Sequence, residues 1–189
     1  MNILFLGYSR HETDLIHHLE QTGHCVEWSD QPIASASGSD WVVSYGYRHI
    51  ISKEVIDKTP GRIINLHISY LPWNKGAHPN FWAHYDDTPS GVTIHLVTPS
   101  VDSGPIFAQK RVSFVPEQDT FEQSHRILRS EIEALFMHHS EDIFLGRLAP
   151  VPQTGRGSTH KKKDLPTAFG GWHEVIGPEI ARLKALTNQ

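Results

Sequence analysis

Three side chains suited to acyl transfer stand near the middle of the sequence: Asn65, His67 and Asp102. Arg62-Ile63-Ile64-Asn65-Leu66-His67 reads as a strand with a polar end, and residues two apart on a strand point to one face. Asp102 falls in Val97-Thr98-Pro99-Ser100-Val101-Asp102-Ser103-Gly104-Pro105, a turn-rich loop between two predicted strands. Moving an acyl group to an amine needs a donor aimed at the developing oxyanion and a route for the amine's proton. Asn65 donates without titrating, and His67 donates or shuttles a proton. Asp102 orients the imidazole or accepts the proton through a water. No serine or cysteine nucleophile is required if the amine attacks directly. Spacing alone leaves the plainer reading open, because a histidine at a strand end is often only structural and Asp-Ser-Gly is a common turn.

The elements that must position this trio alternate as expected of an α/β sheet with mostly parallel strands. Ile3 to Leu6 is an unbroken apolar run, the mark of a strand covered on both faces. Leu15, Ile16 and Leu19 recur at helical spacing within a predicted helix over 10–21. Further strands are expected over 25–28, 41–45, 62–67, 92–97 and 106–114, with short helices over 50–58 and 79–85. Phe121, Ile127, Leu128, Ile132, Leu135, Phe136 and Ile143 mark a long helix over 119–144, with Asp119 and Glu122 as its capping pair and Gly146 as its stop. Past Pro150 the chain turns polar and glycine-containing, so residues 1–150 read as the catalytic domain. Residues 151–189 read as a carboxy-terminal extension with a last helix over 178–186.

Composition narrows the classes of function. A chain of 189 residues suits one domain, and its net charge of −4 gives no bulk attraction to nucleic acid. The first residues lack a basic leader and are too short an apolar run for a membrane span, so the expected compartment is the cytoplasm. Fourteen histidines show no zinc spacing, so no metal is expected. The single cysteine, Cys25, reads as an inert core thiol. No Gly-x-Gly-x-x-Gly follows the first strand, which disfavours a nicotinamide-binding module.

The wider motifs are more specific. Asn65-Leu66-His67-Ile68-Ser69-Tyr70-Leu71-Pro72 with Gly76, then Gly91-Val92-Thr93-Ile94-His95, then Val101-Asp102-Ser103-Gly104-Pro105-Ile106 resembles the folate-dependent formyltransferase family. That family includes glycinamide ribonucleotide transformylase, methionyl-tRNA formyltransferase, sugar N-formyltransferases and the formylation domain of linear gramicidin synthetase. The resemblance covers roughly residues 1–165. Trp41-Val42-Val43-Ser44-Tyr45, Leu71-Pro72-Trp73-Asn74-Lys75-Gly76 and Gly146-Arg147-Leu148-Ala149-Pro150 are similar in texture to the last of these. It implies a Rossmann-like fold, 10-formyltetrahydrofolate as formyl donor, and Asn65, His67 and Asp102 as the catalytic residues. The pteridine is implied to lie under Tyr45, Gly46, Tyr47, Arg48, His49 and Ile50 and against the backbone of Val97, Val101 and Asp102. Ile68 departs from the proline common after the catalytic histidine, without removing a functional group.

The acceptor is less legible. Gly7-Tyr8-Ser9-Arg10-His11-Glu12 lacks the glycine-rich turn by which the ribonucleotide transformylases cradle phosphate. Transfer RNA would need a second domain and a basic face. A small-molecule amine remains, first a nucleotide-linked amino sugar and second an aminoacyl group on a carrier protein. A formyltetrahydrofolate hydrolase and a non-catalytic folate-binding module are the lesser readings, and a homodimer is compatible. Ser69, Trp73, Lys75, Gly76, Trp82, Lys161 and Lys162 are the candidate acceptor contacts. The plainer readings are aromatic packing for Trp73 and Trp82, and a solvated charge run for Lys161 to Lys163.

Overall fold

The computed structural model describes residues 1–187. The first half of the chain forms β1 (Asn2–Gly7), α1 (Leu15–Gln21), β2 (Cys25–Ser29), β3 (Trp41–Tyr45), α2 (Lys53–Lys58) and β4 (Ile63–His67). There follow β5 (Lys75–Gly76), α3 (Pro79–Tyr85), β6 (Gly91–Leu96), β7 (Ile106–Arg111) and α4 (Phe121–Phe144). The extension carries β8 (Thr159–His160), a 3-10 turn at Lys162–Asp164 and α5 (Ile176–Thr187).

Six strands make one sheet in the order β2-β1-β3-β4-β6-β7. The first four are parallel neighbours, while β6 and β7 extend the sheet antiparallel. The α/β expectation therefore holds, with a mixed edge. Covered on both faces, β1 is buried from Ile3 to Gly7, which is why its sequence does not alternate. Phe5, Leu15, Ile16, Val43, Ile132 and Phe136 share the core cluster that holds α1 and α4 against the sheet. The opposite face packs Leu4, Leu6, Val42 and Ile63 against Val55 of α2. A third cluster joins Phe81, Phe121, Ile176, Ile180 and Leu183, docking α5 on α3 and the start of α4.

Several expectations need correcting. Cys25 is exposed, because β2 is an edge strand. α1 starts only at Leu15, because the Glu12 carboxylate accepts from the Ser9 amide and hydroxyl at 2.9 and 2.8 Å, holding the preceding segment in a turn. The cap of α4 is a reciprocal pair one residue later than expected: Thr120 Oγ accepts from the Gln123 amide, and the Gln123 side chain accepts from the Thr120 amide. β7 ends at Arg111, short of the expected Phe114, and α2 begins at Lys53 behind a Ser52 cap. No helix among the described residues is long and apolar enough to cross a membrane.

Candidate active site

In open α/β sheets a cleft forms where neighbouring strands leave on opposite sides, at their carboxyl ends. Here the chain passes from β2, on one side of β1, to β3 on the other. A cleft of about 570 Å³ opens at that end, lined by Tyr8, Ser44, Asn65, His67, His95 and Asp102 among others. All three residues of the sequence trio meet there. His67 Nε2 lies 3.6 Å from Asp102 Oδ2, and Asn65 Nδ2 donates to Asp102 Oδ1 at 3.4 Å.

The polar atoms of this cluster are not equivalent. His67 is 8% exposed, and its Nε2 is buried without a hydrogen-bond partner. Burial lowers the His67 pKa, and His95 adds to that. The Asp102 charge and the Asn74 backbone pull the other way without prevailing. The ring is therefore neutral at pH 7, with a nitrogen left for chemistry. Burial alone would raise the Asp102 pKa, but the neighbouring His67 and His95 imidazoles and the Gly76 amide hold its carboxyl well below the ordinary range.

Asp102 sits in the left-handed region at φ 46°, a conformation costing about 1–3 kcal/mol for such a residue. Two contacts offset that cost. The Gly76 amide donates to Asp102 Oδ2 at 2.8 Å, and a hydrogen bond to a charged group is worth roughly 1.5–3 kcal/mol. Gln153 Nε2 donates to the carbonyls of Asp102 and Gly104 at 2.9 and 2.8 Å. Gly76 is itself fixed by the pairing of β5 with β8. The extension thus buttresses the aspartate's loop from two directions.

His95, opposite Asn65 in the β4–β6 register, was missed as a site residue. Its Nδ1 donates to the Leu96 carbonyl at 2.8 Å, and its Nε2 lies 3.3 Å from Asn65 Nδ2 and 3.5 Å from Asp102 Oδ1. The Asp102 carboxylate, which can only accept, fixes which end of the Asn65 amide is the donor. The alternation of Thr93 and His95 on one face was the available sequence signal. Thr93 Oγ in turn donates to the Ser69 carbonyl at 2.6 Å and accepts from the Leu71 amide at 3.2 Å, pinning the loop after His67.

The expected folate contacts Tyr45, Gly46, Tyr47, Arg48, His49, Ile50, Val97 and Val101 all line the cleft. So does Arg129, a residue that sequence reasoning missed; its guanidinium stacks 4.2 Å over the Tyr8 ring, and its Nε donates to the Tyr45 hydroxyl at 3.3 Å. It comes from α4, and only the tertiary fold brings it here.

Of the expected acceptor contacts, Gly76 and Lys162 line the cleft, and five residues do not. Ser69 is 2% exposed and donates its hydroxyl proton to the Trp73 carbonyl at 2.7 Å. Trp82 is buried, stacked 4.0 Å from the His160 ring. Trp73 is half-buried outside the cleft, Lys75 Nζ donates to Ser103 Oγ at 3.2 Å, and Lys161 is exposed just before the 3-10 turn. A run of three lysines presents only one to a given cleft when a tight turn points successive side chains apart. Among the described residues no group of three His, Cys, Asp or Glu is placed to hold a metal.

Known proteins bear on this geometry. The formyl transferase family profile matches residues 19–138. A methionyl-tRNA formyltransferase of Elusimicrobium minutum (strain Pei191) is 30% identical over 124 residues, covering 63% of this chain and 36% of that protein. The chain therefore spans little more than a third of that relative's length. Among crystal structures, the formyltransferase PseJ from Anoxybacillus kamchatkensis in complex with UDP-4,6-dideoxy-4-formamido-L-AltNAc and tetrahydrofolate is similar at TM-score 0.87 and 38% identity, over 97% of each chain. An N-formyltransferase from Helicobacter canadensis, in complex with folinic acid and dTDP-3-aminofucose, shares the fold at TM-score 0.73 and 16% identity, over 87% of this chain and 72% of that one. Fold, site geometry and family profile agree: the chain belongs to the formyl transferase family.

Proposed function

We propose that this chain is an N-formyltransferase that moves the formyl group of 10-formyltetrahydrofolate to the primary amine of a nucleotide-linked amino sugar, with Asn65, His67 and Asp102 as its catalytic residues. One observation carries the reading: the buried, unpartnered Nε2 of His67 lies beside an ionised Asp102 and the donor end of Asn65. A buried imidazole nitrogen without a partner costs stability, roughly 1–3 kcal/mol, and is tolerated where a substrate supplies its partner.

The bound folate supplies an activated formyl group. The cleft suits it, with Tyr47, Ile50, Val97 and Val101 among its lining. The amine's nitrogen attacks the formyl carbon, forming the new C–N bond as the bond to the folate nitrogen breaks. Asn65 Nδ2–H stabilises the charge gathering on the formyl oxygen. His67 Nε2 takes the amine's proton and returns it to the departing folate nitrogen, while Asp102 stabilises the imidazolium between the two transfers. The PseJ relative, with its sugar nucleotide and folate, supports the acceptor class. The exposed thiol of Cys25 fits a reducing compartment, so we place the protein in the cytoplasm.

The test offers the protein, with 10-formyltetrahydrofolate, a UDP-linked amino sugar or an aminoacylated carrier protein, and follows formamide by mass spectrometry. Formylation of the sugar nucleotide is the expected result. Turnover only on the carrier would overturn the sugar assignment.

A further inference from the structure

A second cavity of about 410 Å³ adjoins the catalytic cleft, with Pro79 lining both. Its walls are His78, Phe121, His125 and Trp172. Resting on the acceptor reading above, we propose that this cavity is the nucleobase subsite of the acceptor, with Trp172 as its stacking platform and Lys162 binding the diphosphate between base and sugar.

The argument begins with exposure. A tryptophan serving only as core is covered, as Trp82 is at 7% exposure. Trp172 keeps 41% of its surface open, although it packs edge-on against Phe169 at 4.8 Å and lies 5.4 Å from the His78 ring. An aromatic ring anchored by its neighbours and left partly open is one on which a planar base can stack. Phe121, which shares the lining, is fully buried and apolar.

Asn80, which also lines the cavity, is spent internally: its Nδ2 donates to the Phe121 carbonyl and to Ser124 Oγ, both at 3.0 Å, and its Oδ1 accepts from Ser124 at 3.1 Å. Recognition there falls to ring stacking. Glu122 at the wall adds an acceptor matched to the imide N–H of uracil or thymine.

The order of groups supports the assignment. Lys162 lines the catalytic cleft, and after burial its charge is what lowers the His78 pKa, so it lies where cleft and cavity meet. Moving outward from the trio, the chain presents a site for the amine, then a cation, then an aromatic slot. That is the sequence amine, diphosphate, base in a nucleoside diphosphate amino sugar. An aminoacyl group on a carrier has no planar ring beyond its phosphate.

The experiment is calorimetric titration with UDP of the wild-type protein, Trp172→Ala, Trp172→Phe and His78→Asn. Asparagine is chosen at position 78 because it tolerates the left-handed backbone there, at φ 54°. Trp172→Ala should weaken UDP by about tenfold or more, the usual yield of one base–aromatic stack, and Trp172→Phe should recover most of it. KM for the sugar nucleotide should rise in parallel, with affinity for 5-formyltetrahydrofolate as the control reading. Should Trp172→Ala fail to fold, His78→Asn must show the loss. Unchanged UDP affinity in folded Trp172→Ala or His78→Asn, while the wild-type protein formylates a UDP-amino sugar, overturns the subsite and leaves the function standing. No UDP binding by a wild-type protein that formylates only carriers overturns both.

Discussion

Formyl transfer by His67→Ala and by Asp102→Asn should fall by about 10³-fold or more, while Asn65→Ala should lose roughly 10²–10³, the range for one oxyanion donor. The first two losses are larger because proton removal and charge compensation both run through the His67–Asp102 contact at 3.6 Å. Asparagine is the informative change at position 102: it accepts the left-handed backbone and still receives the Gly76 amide, so what disappears is the charge. The pH profile adds a sign. Burial lowers the His67 pKa from its ordinary value of 6.5, so Nε2 stays unprotonated at neutral pH and the acid limb of kcat should fall below pH 6.5. Steady-state kinetics from pH 5 to 8 check both points. More than about a tenth of wild-type turnover in a folded variant would remove that residue from the mechanism.

The second large effect is expected far from the trio's own side chains. Gly76→Ala should lower kcat by at least about 10²-fold and reduce the melting temperature. A Cβ at position 76 would lie 2.3 Å from the His160 carbonyl oxygen, at a φ of +86° where only glycine is at ease. Relieving that clash parts β5 from β8, and the amide that holds Asp102 moves with it. A displacement near 1 Å at a catalytic group is enough for such a loss. Gly146→Ala is the matched control: its φ is +69° but nothing lies within 4 Å, so it should cost about 1 kcal/mol of stability with activity retained. Thermal melts and kcat on both variants check the comparison. Equal behaviour of the two would mean that the extension does not position the aspartate.

What the sequence disclosed follows from the range of the interactions involved. β3 and α3 are legible to the residue, because their patterns are local: a β-rich apolar run in one, a proline at the first turn in the other. The trio is legible because strand alternation aligns Asn65 with His67, and because turn residues mark the Asp102 loop. Edge position is a property of strand order, so the exposure of Cys25 was hidden. So were His95 as a partner, Arg129 in the cleft and Gln153 behind the aspartate. Each acts across a sequence separation that only the folded sheet closes. The placement of the expected acceptor contacts follows the same rule. Ser69, Trp73 and Lys75, chosen for nearness in sequence to the catalytic loop, lie outside the cleft lining, whereas Lys162, also expected, lines it from the extension.

The most direct measurement is a formyl balance: single-turnover reaction of excess wild-type protein with 10-formyltetrahydrofolate and a UDP-linked amino sugar, counting tetrahydrofolate, formamide and free formate together. One formamide per tetrahydrofolate released, no formate above background, and no release of either product by His67→Ala is the predicted result. Tetrahydrofolate released with formate in place of formamide would make the protein a hydrolase and contradict transfer to an amine.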